Sequence, residues 1–163
     1  MDLGRDLYLE LMKACLTYSI YAEIIDKQTL RYDPMDPMKR PDGIKWPTYA
    51  HTMIGMKRLE NIQFCVEDVL ARNIQGDLIE TGVWRGGAVI FMRALLKAHA
   101  ANDRIVWVAD SFEGLPIPDS QRYPADSGDR LHEFPELAVS LEKVKSNFDR
   151  YGLLDEQVQF LKG

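Results

Sequence analysis

The 163-residue sequence predicts half of a doubly wound α/β sheet, a βαβαβ unit with extra helices at its N-terminus. Three observations predict it. Short apolar strand candidates recur at Leu78–Thr81, Arg104–Ala109 and Gln157–Leu161. Stretches of helical apolar spacing separate them, at Ala88–Ala101 and Leu137–Tyr151. A glycine-bearing turn, Gly82 to Gly87, joins the first strand to the helix that follows it.

Upstream, Leu3–Ile25 places Leu7, Leu11, Ala14, Cys15, Tyr18 and Ala22 at helical spacing. Arg31–Pro47 then holds four of the eight prolines, which remove backbone donors and disfavour helix, so it reads as a loop anchored by Trp46 and two methionines. Met53–Ala71 returns to a helical repeat through Met56, Leu59, Ile62, Val66 and Leu70, with Gln75-Gly76 as the stop. Between the second strand and the last helix, Ser111–Glu136 is irregular, acidic and broken by prolines. Gly152 is placed to end the last helix. The expected division is residues 1–76 as N-terminal helices and proline-rich loop, and 77–163 as the front half of a ligand-binding domain.

Composition excludes several classes. The apolar share of 46% and charged share of 28% are ordinary for a globular domain. A net charge of -5 argues against a nucleic-acid backbone or an anionic membrane as the partner. Cys15 and Cys65 form neither a metal-like pair nor a disulfide framework, and charges interrupt the first twenty residues, so a cytoplasmic protein is the expectation. Cys65 reads as a small buried side chain, and Met53, Met56 and Met92 as core.

The run Asp77–Gly87, DLIETGVWRGG, carries the chemistry. A ligand of nucleotide type sits beyond the carboxyl ends of parallel strands, where the chain must turn without side chains blocking the approach. Gly82, Gly86 and Gly87 supply that room. The spacing is neither that of a dinucleotide fingerprint nor that of a Walker loop. Glu80, at the strand end, can face an ammonium group, and the backbone at Gly82–Val83 can lie along a ligand. Asp110 closes the second strand in VADSFEG, where a carboxylate can accept both hydroxyls of a ribose. Ser111 and Phe112 then fall near an adenine ring. The bland alternatives are a structural turn for the glycines, a cap for Asp110 and a packing aromatic for Trp84.

Four blocks together resemble the macrocin O-methyltransferase family: HTMIGMKRLENIQFCVEDVL, GDLIETGVWRGGAVIFMRALLKA, VWVADSFEGLP and NFDRYGLLDEQVQFLKG. The resemblance implies a Rossmann-like class I methyltransferase fold, S-adenosyl-L-methionine as donor, a divalent metal such as Mg2+, and a sugar hydroxyl of a macrolide-like natural product as acceptor. Carried over by position, Glu80, Thr81, Gly82, Val83 and Trp84 form the first donor motif, and Asp110 and Ser111 the ribose–adenine motif. Thr52 and Met53 would lie against the methionine part of the donor, and Tyr49 and Met56 near the acceptor. Leu115–Glu136 corresponds to a mobile lid.

One departure matters. In the family the metal-binding aspartates and the general base follow the fourth and fifth strands, whereas this sequence runs only to a third. The fold is therefore expected as one truncated after the third strand, and no residue here is assigned as base or metal ligand. The chain alone is expected not to turn over. An open edge on the first strand invites pairing, with a second copy or with a missing C-terminal half. The expected partner is a small glycoside acceptor.

Overall fold

The structure is a computed structural model that describes residues 2–21 and 49–163. The proline-rich stretch Arg31–Pro47, with Trp46, lies outside the described residues. Among the described residues, β1 (Leu78–Thr81), β2 (Val106–Asp110) and β3 (Val158–Lys162) form a parallel sheet in the order β1-β2-β3. The helices are α1 (Leu3–Leu16), α2 (Gly55–Ala71), α3 (Gly87–Ala98) and α4 (Leu141–Arg150). This is the expected α/β order, and β1 coincides with the strand read from sequence.

Parallel pairing aligns Glu80 with Val108 and Asp110 with Lys162, so the strands end together at one edge. The ends of the strands are clamped by side chains. At the opposite edge Asp77 accepts from the Ile105 N–H at 2.9 Å and from the Trp107 indole at 2.9 Å, and these bonds hold its carboxyl below the usual range. Gln157 donates to the carbonyls of Ala101 and Arg104.

One core runs through all these elements. Val106, Val108 and Val158 of the sheet pack with Val89, Ile90, Phe91, Ala94 and Leu95 of α3 and with Val144 and Phe148 of α4. Leu9, Met12 and Leu16 of α1 and Leu59 and Val66 of α2 join the same cluster. Helix α3 is buried over nearly its whole length, so its one buried cation must be paired: Arg93 makes a two-pronged bond to Asp155, at 2.9 and 2.6 Å. The sheet's other face is barer, with Ile79 and Leu161 exposed.

Three expectations need correction. The first helix ends at Leu16, because Thr17 caps it and Tyr18 turns left-handed, at φ 61°. Its buried stripe is Leu9, Met12 and Leu16, while Leu7 and Leu11 face solvent. Helix α2, by contrast, ends at Ala71 as expected, where Asn73 reverses the chain at φ 52°. Cys65 is exposed on α2, not buried.

Gly87 is the tightest packing point. A Cβ there would collide with the carbonyl of His51 and lie 2.6 Å from Thr52 Cβ. The Gly87 N–H meanwhile donates to that carbonyl at 2.9 Å. Gly87→Ala is therefore expected to cost about 3 kcal/mol or more by overpacking, measured by denaturant unfolding. A wild-type midpoint in that variant would show that the 49–54 segment yields freely.

Candidate functional site

The site begins with the turn after β1. Gly82 takes φ 80°, and the next reversal uses Trp84 at φ 51° and Gly86 at φ 84°. A side chain at Gly86 would meet Val144 at 2.9 Å, so α4 packs directly onto the turn. Asn147, fully buried on α4, donates to the Arg85 carbonyl at 2.9 Å. Arg85 in turn donates to the Ala50 carbonyl at 2.9 Å and stacks over the Trp84 ring.

The segment ahead of α2 lies beside that turn. The N–H groups of His51 and Thr52 donate to the carbonyl of Leu16 at the end of α1, which satisfies an otherwise orphaned helix carbonyl. His51 Nδ1 lies 2.7 Å from the Tyr151 hydroxyl. Burial, with Arg150, Arg85 and Lys143 nearby, pushes the His51 pKa down to about 4. His51 is therefore neutral at pH 7 and serves to pin the segment.

Asp110 joins the two strand ends. One carboxylate oxygen accepts from the Val83 N–H at 2.7 Å, the other from the Phe112 N–H at 2.8 Å. Two of roughly four acceptor positions remain open. Phe112, at φ 58°, is turned into the core against Phe160 and does not line the site, which corrects its expected place near an adenine ring. Ser111 stays at the surface of the site and donates to the Gly114 carbonyl.

Glu80 is the electrostatic outlier. Its carboxylate accepts from the Val89 N–H in the first turn of α3, yet Oε2 is buried without a partner. Burial, together with the nearby Asp110 charge, raises its pKa to about 7. An unpartnered buried carboxylate oxygen is costly, and it is stabilised by any cation placed beside it.

These groups enclose one cavity of about 730 Å³, within the range of roughly 300–1,000 Å³ common for small-molecule sites. Thr52, Met53, Glu80, Thr81, Gly82, Val83, Trp84, Asp110 and Ser111 all line it. Tyr49 and Met56 do not; Tyr49 is exposed and packs on Tyr18. Sequence reasoning missed Arg58, Leu137 and the wall formed by Leu161, Lys162 and Gly163. The β3 end could have been anticipated, since parallel strands finish at the same edge. Trp84 also reaches the long loop, its indole N–H donating to the Glu136 carbonyl at 2.7 Å. Among the described residues no three His, Cys, Asp or Glu side chains converge to hold a metal ion.

Comparison with known proteins places this architecture. A family model for macrocin-O-methyltransferase (TylF) matches residues 5–163. The chain is 56% identical over 162 residues to an 8-demethyl-8-(2,3-dimethoxy-alpha-L-rhamnosyl)-tetracenomycin-C 4'-O-methyltransferase of Streptomyces olivaceus, covering 98% of this chain and 62% of that protein. It is 48% identical to a mycinamicin III 3''-O-methyltransferase of Micromonospora griseorubida, covering 98% of this chain and 65% of the relative. The solved structure of the O-methyltransferase NovP superposes with a TM-score of 0.87 at 51% identity, covering 98% of this chain and 64% of that one. The chain thus spans somewhat under two thirds of the length of these proteins.

Two opposed pH effects follow from the site. Glu80 binds a proton more tightly folded than unfolded, so its contribution to stability is lost as pH rises from 4.5 to about 7. His51 binds one less tightly folded, so its contribution is lost as pH falls from 6.5 to about 4. Glu80→Gln is expected to remove the first slope and leave stability rising with pH through the His51 window, a change of about 2–3 kcal/mol near pH 7. Urea unfolding across that range checks it; an unchanged profile in Glu80→Gln would refute the Glu80 assignment.

Proposed function

The chain belongs to the macrocin O-methyltransferase family, and we propose that its cavity is the S-adenosyl-L-methionine site of an enzyme that methylates a sugar hydroxyl on a glycosylated natural product. The observation that carries this is the convergence of Glu80 and Asp110 in one cavity beside the Gly82 turn. Asp110, with its two backbone bonds made, offers its remaining acceptor positions to the ribose hydroxyls. The buried oxygen of Glu80 meets the donor's ammonium group. The neighbourhood of Thr52 and Met53 receives the methionyl chain, and Ser111 stands by the adenine end. Tyr49 and Met56, which do not line the cavity, remain the proposed acceptor contacts.

The bound donor supplies an electrophilic methyl group on a sulfonium. The residues here orient that group and exclude water around it; positioning of this kind accounts for a large share of rate enhancement in such transfers. The described residues do not fit the divalent ion that the family resemblance implies, so no step is routed through one. Proton removal from the acceptor hydroxyl is assigned, as part of the proposal, to the portion of the relatives' length that this chain does not span. A second reading, that this chain is one half of an assembled enzyme or pairs with itself, is favoured by the exposed Ile79 and Leu161 on the uncovered face of the sheet.

Calorimetric titration with S-adenosylhomocysteine tests the donor site. The wild-type chain is expected to bind it, and Asp110→Asn to lose at least about tenfold in affinity. That variant also places an amide N–H against a backbone N–H, so its melting temperature is expected to fall. A flat wild-type titration on a folded chain would remove the donor reading. The isolated chain is expected to bind donor without turnover, and methyl transfer to a deoxysugar glycoside by the purified 163-residue chain would contradict that.

A further inference from the structure

We propose that Arg58 reads the carboxylate of the donor's amino-acid end, and so makes the cavity selective for an intact adenosyl amino acid over adenosyl fragments. The inference rests on the donor reading above and deepens it.

Four charged side chains line the cavity: Glu80, Asp110, Arg58 and Lys162. Asp110 is committed to the N–H groups of Val83 and Phe112. Lys162 is committed to Glu113, with Nζ 2.8 Å from the carboxylate. Glu80 has a buried oxygen without a partner. Arg58 lines the cavity and has no hydrogen-bond or ion-pair partner among the described residues. One acid and one cation are thus left uncommitted in a single cavity. The amino-acid end of the donor is a zwitterion, with one ammonium and one carboxylate to match them.

The local structure keeps Arg58 available. It sits in the first turn of α2, just beyond Thr52, Met53 and Ile54, which line the same cavity. The first turn of α2 contains no acidic residue and its N-cap, Ile54, offers no side-chain oxygen. No carboxylate of the helix's own competes for the guanidinium. A planar guanidinium matches a carboxylate with two parallel bonds, which a lysine in its place would not do.

Three ligands separate the outcomes: S-adenosylhomocysteine, its decarboxylated analogue that keeps the amine, and 5′-methylthioadenosine, which lacks the amino-acid end. Wild-type chain is expected to prefer S-adenosylhomocysteine over the decarboxylated analogue by about tenfold. Arg58→Ala is expected to lose about that factor for S-adenosylhomocysteine alone, holding the two carboxylate-free ligands within about twofold, and Arg58→Lys to recover part of it. Binding of 5′-methylthioadenosine reports that each variant is folded. The proposal is overturned if wild type does not discriminate against the decarboxylated analogue, or if Arg58→Ala weakens all three ligands alike or none. If wild type binds none of the three, the donor reading itself falls; if it binds S-adenosylhomocysteine and Arg58→Ala binds it equally well, only the role of Arg58 does.

Discussion

The carboxylate of Asp110 accepts one backbone N–H from the turn after β1 and another from the turn after β2, at 2.7 and 2.8 Å. Parallel strands bond only along their length, so the loops that leave their carboxyl ends have no ladder to hold them. Asp110 supplies that restraint from a side chain. The Gly82 N–H donates to the Ala109 carbonyl and the Gly163 N–H to the Asp110 carbonyl, so the three strand exits are tied at one residue pair. The cavity lies against this knot. Its shape depends on a group that is also charged, so on the proposed reading a structural and a ligand-binding role coincide at one residue.

A second restraint closes the opposite wall. The end of α1, the His51–Thr52 backbone and Gly87 meet through the Leu16 and His51 carbonyls. Only a residue without a Cβ allows that approach at position 87. The N-terminal helices are therefore not an appendage to the sheet but the means of holding Thr52, Met53 and Arg58 against the glycine turn. Tyr151 and Asn147 of the α4 region bind the same knot from the other side, through His51 and the Arg85 carbonyl. The Trp84 indole extends it to Glu136 at the close of the long loop.

Strand positions and the glycine turn were legible in the sequence because both have strong local signals: short apolar runs, and glycines where φ must be positive. Every residue that the family resemblance assigned to the donor site lines one cavity, since strand ends and the turn after them occupy a defined edge of a parallel sheet. The misreadings have a common origin in tertiary context. The face of α1 was misassigned because Leu7 and Leu11 are as apolar as Leu9 and Met12, and spacing alone cannot say which stripe meets α3. The first helix was overrun at Tyr18 because a left-handed residue other than glycine stops a helix without announcing it. Phe112 was misplaced for a like reason: at its positive φ the ring is buried against Phe160 and does not line the cavity. Arg58 escaped notice because a lysine–arginine pair on an amphipathic helix reads as solvated surface.

The remaining tension is electrostatic. Two carboxylates, Glu80 and Asp110, are near enough for one to raise the pKa of the other, and desolvation raises that of Glu80 further. A purely structural turn would gain by replacing Glu80 with a neutral residue of the same size, because its buried oxygen contributes no bond to the fold. The cost makes physical sense if something cationic completes the site. An ammonium beside Oε2 would restore Glu80 to its ordinary ionised state and release a proton on binding, while an anion carried on the same ligand would meet Arg58. On the donor reading, the burial that makes Glu80 costly to the fold and its affinity for a ligand have the same source: Glu80 and Arg58 answer the two opposite charges of one zwitterion.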